Sequence, residues 1–374
     1  MFLFERLFAL AIYVLVLLLV CFFISQRNSN YKRIFFIYTL LLATMGFFYV
    51  PYETADLYRI YGYLESFSKH DWNSFFYNRL DGNILKVDSI YYWLISKTGE
   101  FRLLPAINAI LCYSCIFYII SHTADRYNIS RKNITLATFF FMSIGNYMFV
   151  ISGIRCMLGI SLMSFCFFRE NIEKKFKWWH IPIYLFAVFV HHFVFVLMVG
   201  RLIVPVLTKR MSIVKKMSYL IFIGMLGLIA IALFKSYIGE IFEKGEGYID
   251  DSPYSYLWDY IVGGFCGLII MLSLMEAKHE KNLQTDLYNW KIYLLGCVFL
   301  AICFCFEFSI FHRTIAYIAP IILLPVLMVK LQYCEEIGTK KSATLKNSIL
   351  LLTVIMLVVV CARSSLCSLK FFVL

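Results

Sequence analysis

Apolar runs of about 17–22 residues, separated by short polar stretches, make up most of this chain, and the runs show no period-two alternation. In helical conformation, at 1.5 Å per residue, a run of that length matches the roughly 30 Å hydrocarbon core of a bilayer. Continuous runs without alternation point to helices and against barrel strands. Spans are predicted near 3–24, 34–50, 102–121, 134–151, 153–168, 173–191, 193–207, 217–235, 257–275, 290–306, 312–330 and 347–365. The expected fold class is all-α: a polytopic integral membrane protein of about 12 transmembrane helices, one multispan domain over residues 1–374.

Two stretches set the connectivity. Ile134 to Phe168 is nearly unbroken and about 35 residues long, or about 52 Å as helix, so it has to fold back on itself. The break in its second half is Ser152-Gly153, which sets Arg155 on the first turn after the bend. His180 to Leu207, about 28 residues, is long for one span and short for two. A hairpin turning at His191-His192 is expected, its first arm beginning in the amphipathic run Ile172 to Trp179. A single span would put the Lys-rich loop 331–346 outside and the acidic loop 236–256 inside.

Composition agrees with the pattern. The chain is 61% hydrophobic and 16% charged, with a mean hydropathy of +0.76; a soluble domain is far more polar. The net charge of +12 is read as loop charge beside a membrane, with no nucleic acid as partner. With loops 25–33, 122–133, 169–179, 208–216, 276–291 and 331–346 on the cytoplasmic side, about 21 of the 35 lysines and arginines lie in or beside them. About 15 of the 23 acidic residues fall on the opposite side. Phe2 to Ile24 is expected to stay as a span, because Arg6 sits beside Glu5 and no small-x-small site precedes Arg27.

Two outer loops are long. In loop 51–101, Leu57, Ile60, Tyr61, Leu64 and Phe67 recur at helical spacing and predict an interfacial amphipathic helix, with a second piece over Ser89 to Ser96. Loop 236–256 carries Glu240, Glu243, Glu246, Asp250 and Asp251.

Ionisable residues recur at similar depth and suggest a polar chamber open to one side. A charge near hydrocarbon costs roughly 2.5–3.5 kcal/mol and normally faces a cavity or a partner. Arg155 suits phosphate oxygens, or else is a rim arginine paired with an acid of loop 51–101. His191 and His192 are a general base or diphosphate donor, or an interface pair at a helix turn. Asp56 binds or deprotonates a sugar hydroxyl, or Thr54 or Asp56 caps the amphipathic helix. Arg313, beside His312, enters its span as Arg155 does, so the two arginines face one anion, or Glu307 and Arg313 form a surface ion pair. Tyr58, Tyr61 and Trp72 are candidate sugar-stacking residues or ordinary interface anchors.

No carboxylate or further histidine stands three or four residues from His191 or His192, so no metal site is expected there. The 12 cysteines form neither a disulfide framework nor a zinc pattern; Cys112-x-x-Cys115 is a lone pair inside an apolar helix. Nucleotide-binding loops, serine-hydrolase elbows and repeated half-chains are absent, which argues against an ATP-driven pump, a serine hydrolase and many secondary transporters.

Four segments carry a resemblance. Asp56-Leu57-Tyr58-Arg59-Ile60-Tyr61 resembles the aspartate-aromatic start of the large outer loop in EpsG-like, Wzy-type polysaccharide polymerases. Ser152-Gly153-Ile154-Arg155-Cys156-Met157-Leu158-Gly159 resembles their s-g-x-R-q-x-l-a segment, with Cys156 and Gly159 in place of Gln and Ala. Phe189-Val190-His191-His192-Phe193-Val194 resembles their apolar-His-x-Ser-Ala segment, with Phe193 and Val194 replacing the small pair. Phe311-His312-Arg313-Thr314-Ile315-Ala316-Tyr317 resembles their late R-i-a-y segment.

The resemblance implies a GT-C-like fold in the bacterial inner membrane and a metal-independent glycosyltransferase without a cofactor. Its donor and acceptor are undecaprenyl-diphosphate-linked oligosaccharides, joined on the outer face into O-antigen, capsule or exopolysaccharide. In that reading Arg155, Arg313 and His312 bind diphosphate. His191, or failing that Asp56, orients or deprotonates the acceptor, while Tyr58, Tyr61, Trp72 and His192 meet sugar. Membrane lipid and a chain-length regulator protein are the implied partners. The alternatives are a transporter or flippase of the same lipid-linked saccharide, or another envelope transferase, an O-acetyltransferase or a ligase.

Overall fold

The computed structural model describes residues 2–53, 55–78, 86–144, 146–191, 193–208, 212–233, 257–275, 287–305 and 308–362. Thr54, His192, Glu307 and the acidic loop 236–256 lie outside the described residues, as does most of loop 276–291. The chain folds as helices α1 (Phe2–Ser25), α2 (Tyr31–Phe47), α3 (Asp56–Ser68), α4 (Trp72–Asn78), α5 (Val87–Ser96) and α6 (Leu103–Arg126). Then come α7 (Arg131–Ser143), α8 (Asn146–Ile151), α9 (Ile154–Asn171), α10 (His180–Val190), α11 (Val194–Thr208) and α12 (Ile213–Leu233). α13 (Leu257–Leu274), α14 (Tyr288–Cys303) and α15 (Phe308–His312) lead to a π-helical turn, Arg313–Ile318; α16 (Ala319–Ile337) and α17 (Lys340–Ala362) follow.

Among the described residues four stretches are long and apolar enough to cross a membrane: Leu7–Ser25, Leu103–Arg126, Ile310–Ile337 and Lys340–Ala362. Shorter apolar helices are His180–Val190, Val194–Val204, Tyr260–Leu274 and Tyr288–Cys303. The described residues thus form helices and no strand, and the apolar helices make this a membrane protein. The apolar window of Ile310–Ile337 is buried throughout, as expected for a helix apolar on every side. α6, α7, α14 and α17 all pack on α16. α1 and α17 instead turn rows of leucine, isoleucine, valine and phenylalanine outward, the surface a lipid-facing helix presents.

Polar contacts sort the helix ends into two groups. At one end Lys32 pairs with Asp125 at 2.6 Å. Ser130 and Asn133 bond to Glu335 at 2.8 and 2.7 Å, and Lys346 reaches the same carboxylate at 3.3 Å. Glu173 accepts from Tyr118 at 2.8 Å and lies 3.3 Å from both His122 and Arg169. Loops 25–33, 122–133, 169–179 and 331–346 therefore share one end, which the basic-residue count had grouped. At the other end Arg102 lies over the Phe47 ring at 4.7 Å, Asn108 donates to the Val150 carbonyl, and Arg155 meets Asp88 at 2.8 Å.

The reversal at Ser152-Gly153 is real: α8 ends at Ile151 and α9 starts at Ile154, with Gly153 between. α9 then returns to the end that holds Glu173 and His122. The span expected over 134–151 is not one rod, since it breaks after Ser143 into α7 and α8.

The hairpin at His191 also forms. Glu170, near the end of α9, lies 3.3 Å from His180 at the start of α10 and 2.6 Å from Arg201 on α11. It accepts from Tyr184 at 2.7 Å as well. Both arms thus return to one carboxylate, which a single span could not do. Its first arm differs from expectation, because Ile172–Trp179 is irregular and α10 has 11 residues, about 16 Å, less than the hydrocarbon thickness. The cause is the capture of Glu173 by α6 and α9, with Lys174 at φ 56° turning the chain.

Removing the Glu170 carboxylate strands Arg201 in a largely buried setting. Glu170→Ala is expected to cost about 2–3 kcal/mol, with Glu170→Gln in between, by thermal unfolding in detergent. An unchanged midpoint for both would show that the carboxylate does not hold the hairpin.

Candidate functional site

The end away from the basic loops gathers most of the expected residues. Arg155 is the second residue of α9, placed there by the Gly153 turn. Its guanidinium bonds through one nitrogen to Asp88 at 2.8 Å, and the side chain stays 49% exposed against 19% for Asp88. The alternative of a rim arginine paired with an acid of loop 51–101 is therefore met in geometry. The pairing is one-sided, leaving donors of the fork uncommitted.

Arg313 opens the π-helical turn. Pro320 explains that turn: it has no N–H for the Ala316 carbonyl, and its ring crowds the preceding turn. The ladder widens instead, so that the Ala319 N–H bonds to the Thr314 carbonyl five residues back. Such wide turns are rare and recur at functional sites. Gly263 on α13 lets the turn approach, since a Cβ there would stand 2.9 Å from both Ile315 and Phe311. The Arg313 guanidinium lies over the Phe193 ring at 5.7 Å, a cation–π contact. Among the described residues no carboxylate pairs with it; Glu307 lies outside them.

Asp56 is the first residue of α3, and the N-cap is Ala55, without a side-chain bond. The capping alternative for Asp56 is thus replaced by an ion pair with Arg59 one turn on. α3 buries Leu57, Ile60, Leu64 and Phe67, as its spacing predicts. The charges of Arg313, Arg155 and Asp56 all act on the Cys156 thiol, and those of Arg313 and Asp56 on the Tyr317 phenol. Arg59 pairs with Asp56 and Arg155 with Asp88, which leaves Arg313 without a carboxylate partner among the described residues.

His191 ends α10 in an extended conformation, with its N–H on the Ala187 carbonyl. A Cβ at Gly159, one turn along α9 from Arg155, would stand 2.6 Å from Val194 and 2.9 Å from the Ala187 carbonyl. Glycine here brings the His191 elbow against the helix that carries Arg155, which gives the departure from alanine a steric reason. His312 is buried, with the rings of Phe149 and Tyr317 at 5.4 and 5.1 Å.

Trp72 belongs to a separate aromatic cluster with Phe75, Phe76 and Trp93. Lys97 fastens that cluster by donating to the carbonyls of Ser68 and His70. Tyr61 is half-buried against Phe101, and Tyr58 is exposed. Asp88, Tyr92 and Tyr317 were missed as site residues. Asp88 has only one weak signal, an acid opening the helix that carries Tyr91, Tyr92 and Trp93. Burial holds the Tyr92 phenol above its ordinary value, although Arg155 pulls it down, so it stays a neutral hydroxyl near the ion pair. Among the described residues no three histidine, cysteine, aspartate or glutamate side chains converge as a metal would need.

Gly159→Val is expected to cost about 1–3 kcal/mol, whereas Gly224→Val, with open space around it, is expected to change stability little. Thermal unfolding of both variants checks this, and equal midpoints would mean that the elbow does not press on Gly159.

No curated protein and no solved structure matches the chain. The model of the EpsG family matches residues 54–372, which takes in all four site segments. The chain belongs to the EpsG family.

Proposed function

We propose that this EpsG-family membrane protein polymerises lipid-diphosphate-linked oligosaccharide repeat units by glycosyl transfer on the outer face of the inner membrane. The observation that carries the reading is that Arg155 and Arg313, from helices far apart in sequence, both act on the Cys156 thiol, and that Arg313 has no carboxylate partner among the described residues. A diphosphate leaving group needs such cationic donors. Family membership and the acidic character of loop 51–101 support the rest. The positive-inside rule assigns the basic end to the cytoplasm and this end to the outside. A GT-C-like bundle of about 12 crossings is part of the same proposal.

The chemistry runs as follows. The anomeric carbon of the growing chain is bonded to a lipid diphosphate oxygen. A hydroxyl oxygen of the terminal sugar on another lipid-linked unit attacks that carbon, and the carbon–oxygen bond to diphosphate breaks. The diphosphate departs with the electron pair, and Arg155 and Arg313 take up its charge. The hydroxyl proton passes to His191, a side-chain type suited to general-base work, or to Asp56. His312, expected as a diphosphate ligand beside the two arginines, is buried against Phe149 and Tyr317, so in this reading it acts from behind, packing the turn that carries Arg313. His192 with Tyr58, Tyr61 and Trp72 would meet sugar rings. Undecaprenyl as the lipid and a chain-length regulator as partner belong to the proposal.

A strain lacking this protein, complemented with wild type or with Arg155→Ala, tests it on a gel of surface polysaccharide. Single repeat units without a ladder are expected for both the null and Arg155→Ala, a loss of at least about 100-fold in polymer, as for other charge-stabilising groups. A normal ladder in the null would remove the polymerase reading, and an absence of outer-face repeat units would favour a flippase. Altered decoration at normal chain length would favour an O-acetyltransferase, and unattached polymer a ligase.

A further inference from the structure

Asp88 was not among the residues expected at this site, yet it is the direct partner of the arginine that matters most there. Three features of the pair are unusual for a purely structural ion pair. The contact is single, from one guanidinium nitrogen to one carboxylate oxygen at 2.8 Å, not the bidentate fork arginine forms with a committed partner. The arginine is the more exposed member, 49% against 19%, so it stays accessible while Asp88 is largely covered. Asp88 also has a second favourable environment, because it lies in the first turn of the ten-residue helix α5, where the helix dipole favours negative charge. The dipole still favours the Asp88 charge once Arg155 is released, which lowers the cost of release. Arg313, meanwhile, rests on an aromatic face and has no carboxylate partner among the described residues. Among the described residues the site thus holds one cation covered by an internal anion and one that is not.

We propose that Asp88 is an exchangeable counter-ion for Arg155. It occupies the guanidinium while the site holds no diphosphate and yields it when the lipid-linked donor arrives. It takes the guanidinium back as the lipid diphosphate leaves. Asp88 is in this sense a positioning residue, acting through Arg155 and touching neither sugar nor phosphate. The inference rests on the reading of Arg155 as a diphosphate ligand. It adds that the affinity of the site is held down from within, which speeds release of a product that the two arginines would otherwise retain.

The test uses the full chain in lipid nanodiscs, with undecaprenyl diphosphate, undecaprenyl monophosphate and inorganic pyrophosphate as separate probes. Asp88→Asn keeps the shape and removes the competing charge. It is expected to tighten undecaprenyl diphosphate binding by roughly two- to five-fold, within what a partly solvated ion pair is worth. In turnover it is expected to lower KM and kcat together, because release slows. Asp88→Glu is expected to restore wild-type values, and in an Arg155→Ala background Asp88→Asn is expected to have no effect on binding. If Asp88→Asn does not fold, Asp88→Ser carries the same expectations. Unchanged or weaker binding by the neutral variant, or equal tightening without Arg155, would overturn the exchange alone. Tightening of pyrophosphate as well as of the lipid would assign the effect to the diphosphate group. Wild type that prefers no diphosphate over monophosphate, or that loses nothing on Arg155→Ala, would overturn the parent reading, and the exchange with it.

Discussion

A guanidinium set on the first turn of a helix made of isoleucine, methionine, leucine and phenylalanine has to be paired or kept wet. The end of the protein that carries Arg155 is organised around that requirement. The apolar stretch from Ile134 to Phe168 is too long for one crossing, so it reverses at Ser152-Gly153 and leaves Arg155 at the mouth of the return helix. The amphipathic helices of the loop before it then supply Asp88 as partner and Tyr92 beneath. Gly159, one turn further in, admits the His191 elbow, and the wide turn at Arg313 brings a second cation towards Cys156.

The opposite end is built from ordinary structural polar contacts. Lys32 with Asp125, Lys346 with Glu335, and the ring of donors on Glu173 tie neighbouring helices together. In a bilayer, where lipid tails compete equally for apolar surface, such contacts and close helix approach carry the packing. The protein is in this sense polarised: multi-partner polar networks at one end, and at the other an arginine held by a single bond and another held by a ring.

Much of this could be read from the chain. Run length gave the helical class and the place of most of the apolar helices but not their lengths, and the reversals at Ser152-Gly153 and His191 followed from arithmetic on runs too long or too short to span. The spacing of Leu57, Ile60, Leu64 and Phe67 gave α3 and its buried face. What escaped had weaker local causes. Asp88 stands in no motif, and its role depends on a contact 67 residues away in sequence. The π-helical turn comes from Pro320, which a window of apolar residues does not weigh against the helix it interrupts. The irregular run Ile172–Trp179 keeps an amphipathic pattern but is pulled off helix by the partners of Glu173. Asp56 was open to reading as a cap because capping depends on a backbone angle one residue earlier, at Ala55.

The most direct test of the central claim is a stoichiometry. Purified protein in lipid nanodiscs is given a synthetic undecaprenyl-diphosphate-linked repeat unit, and saccharide length and released undecaprenyl diphosphate are followed together by mass spectrometry. Polymerisation predicts one undecaprenyl diphosphate released for each new glycosidic bond. Units that stay single, with no lipid diphosphate freed by a folded and lipid-embedded protein, would contradict it.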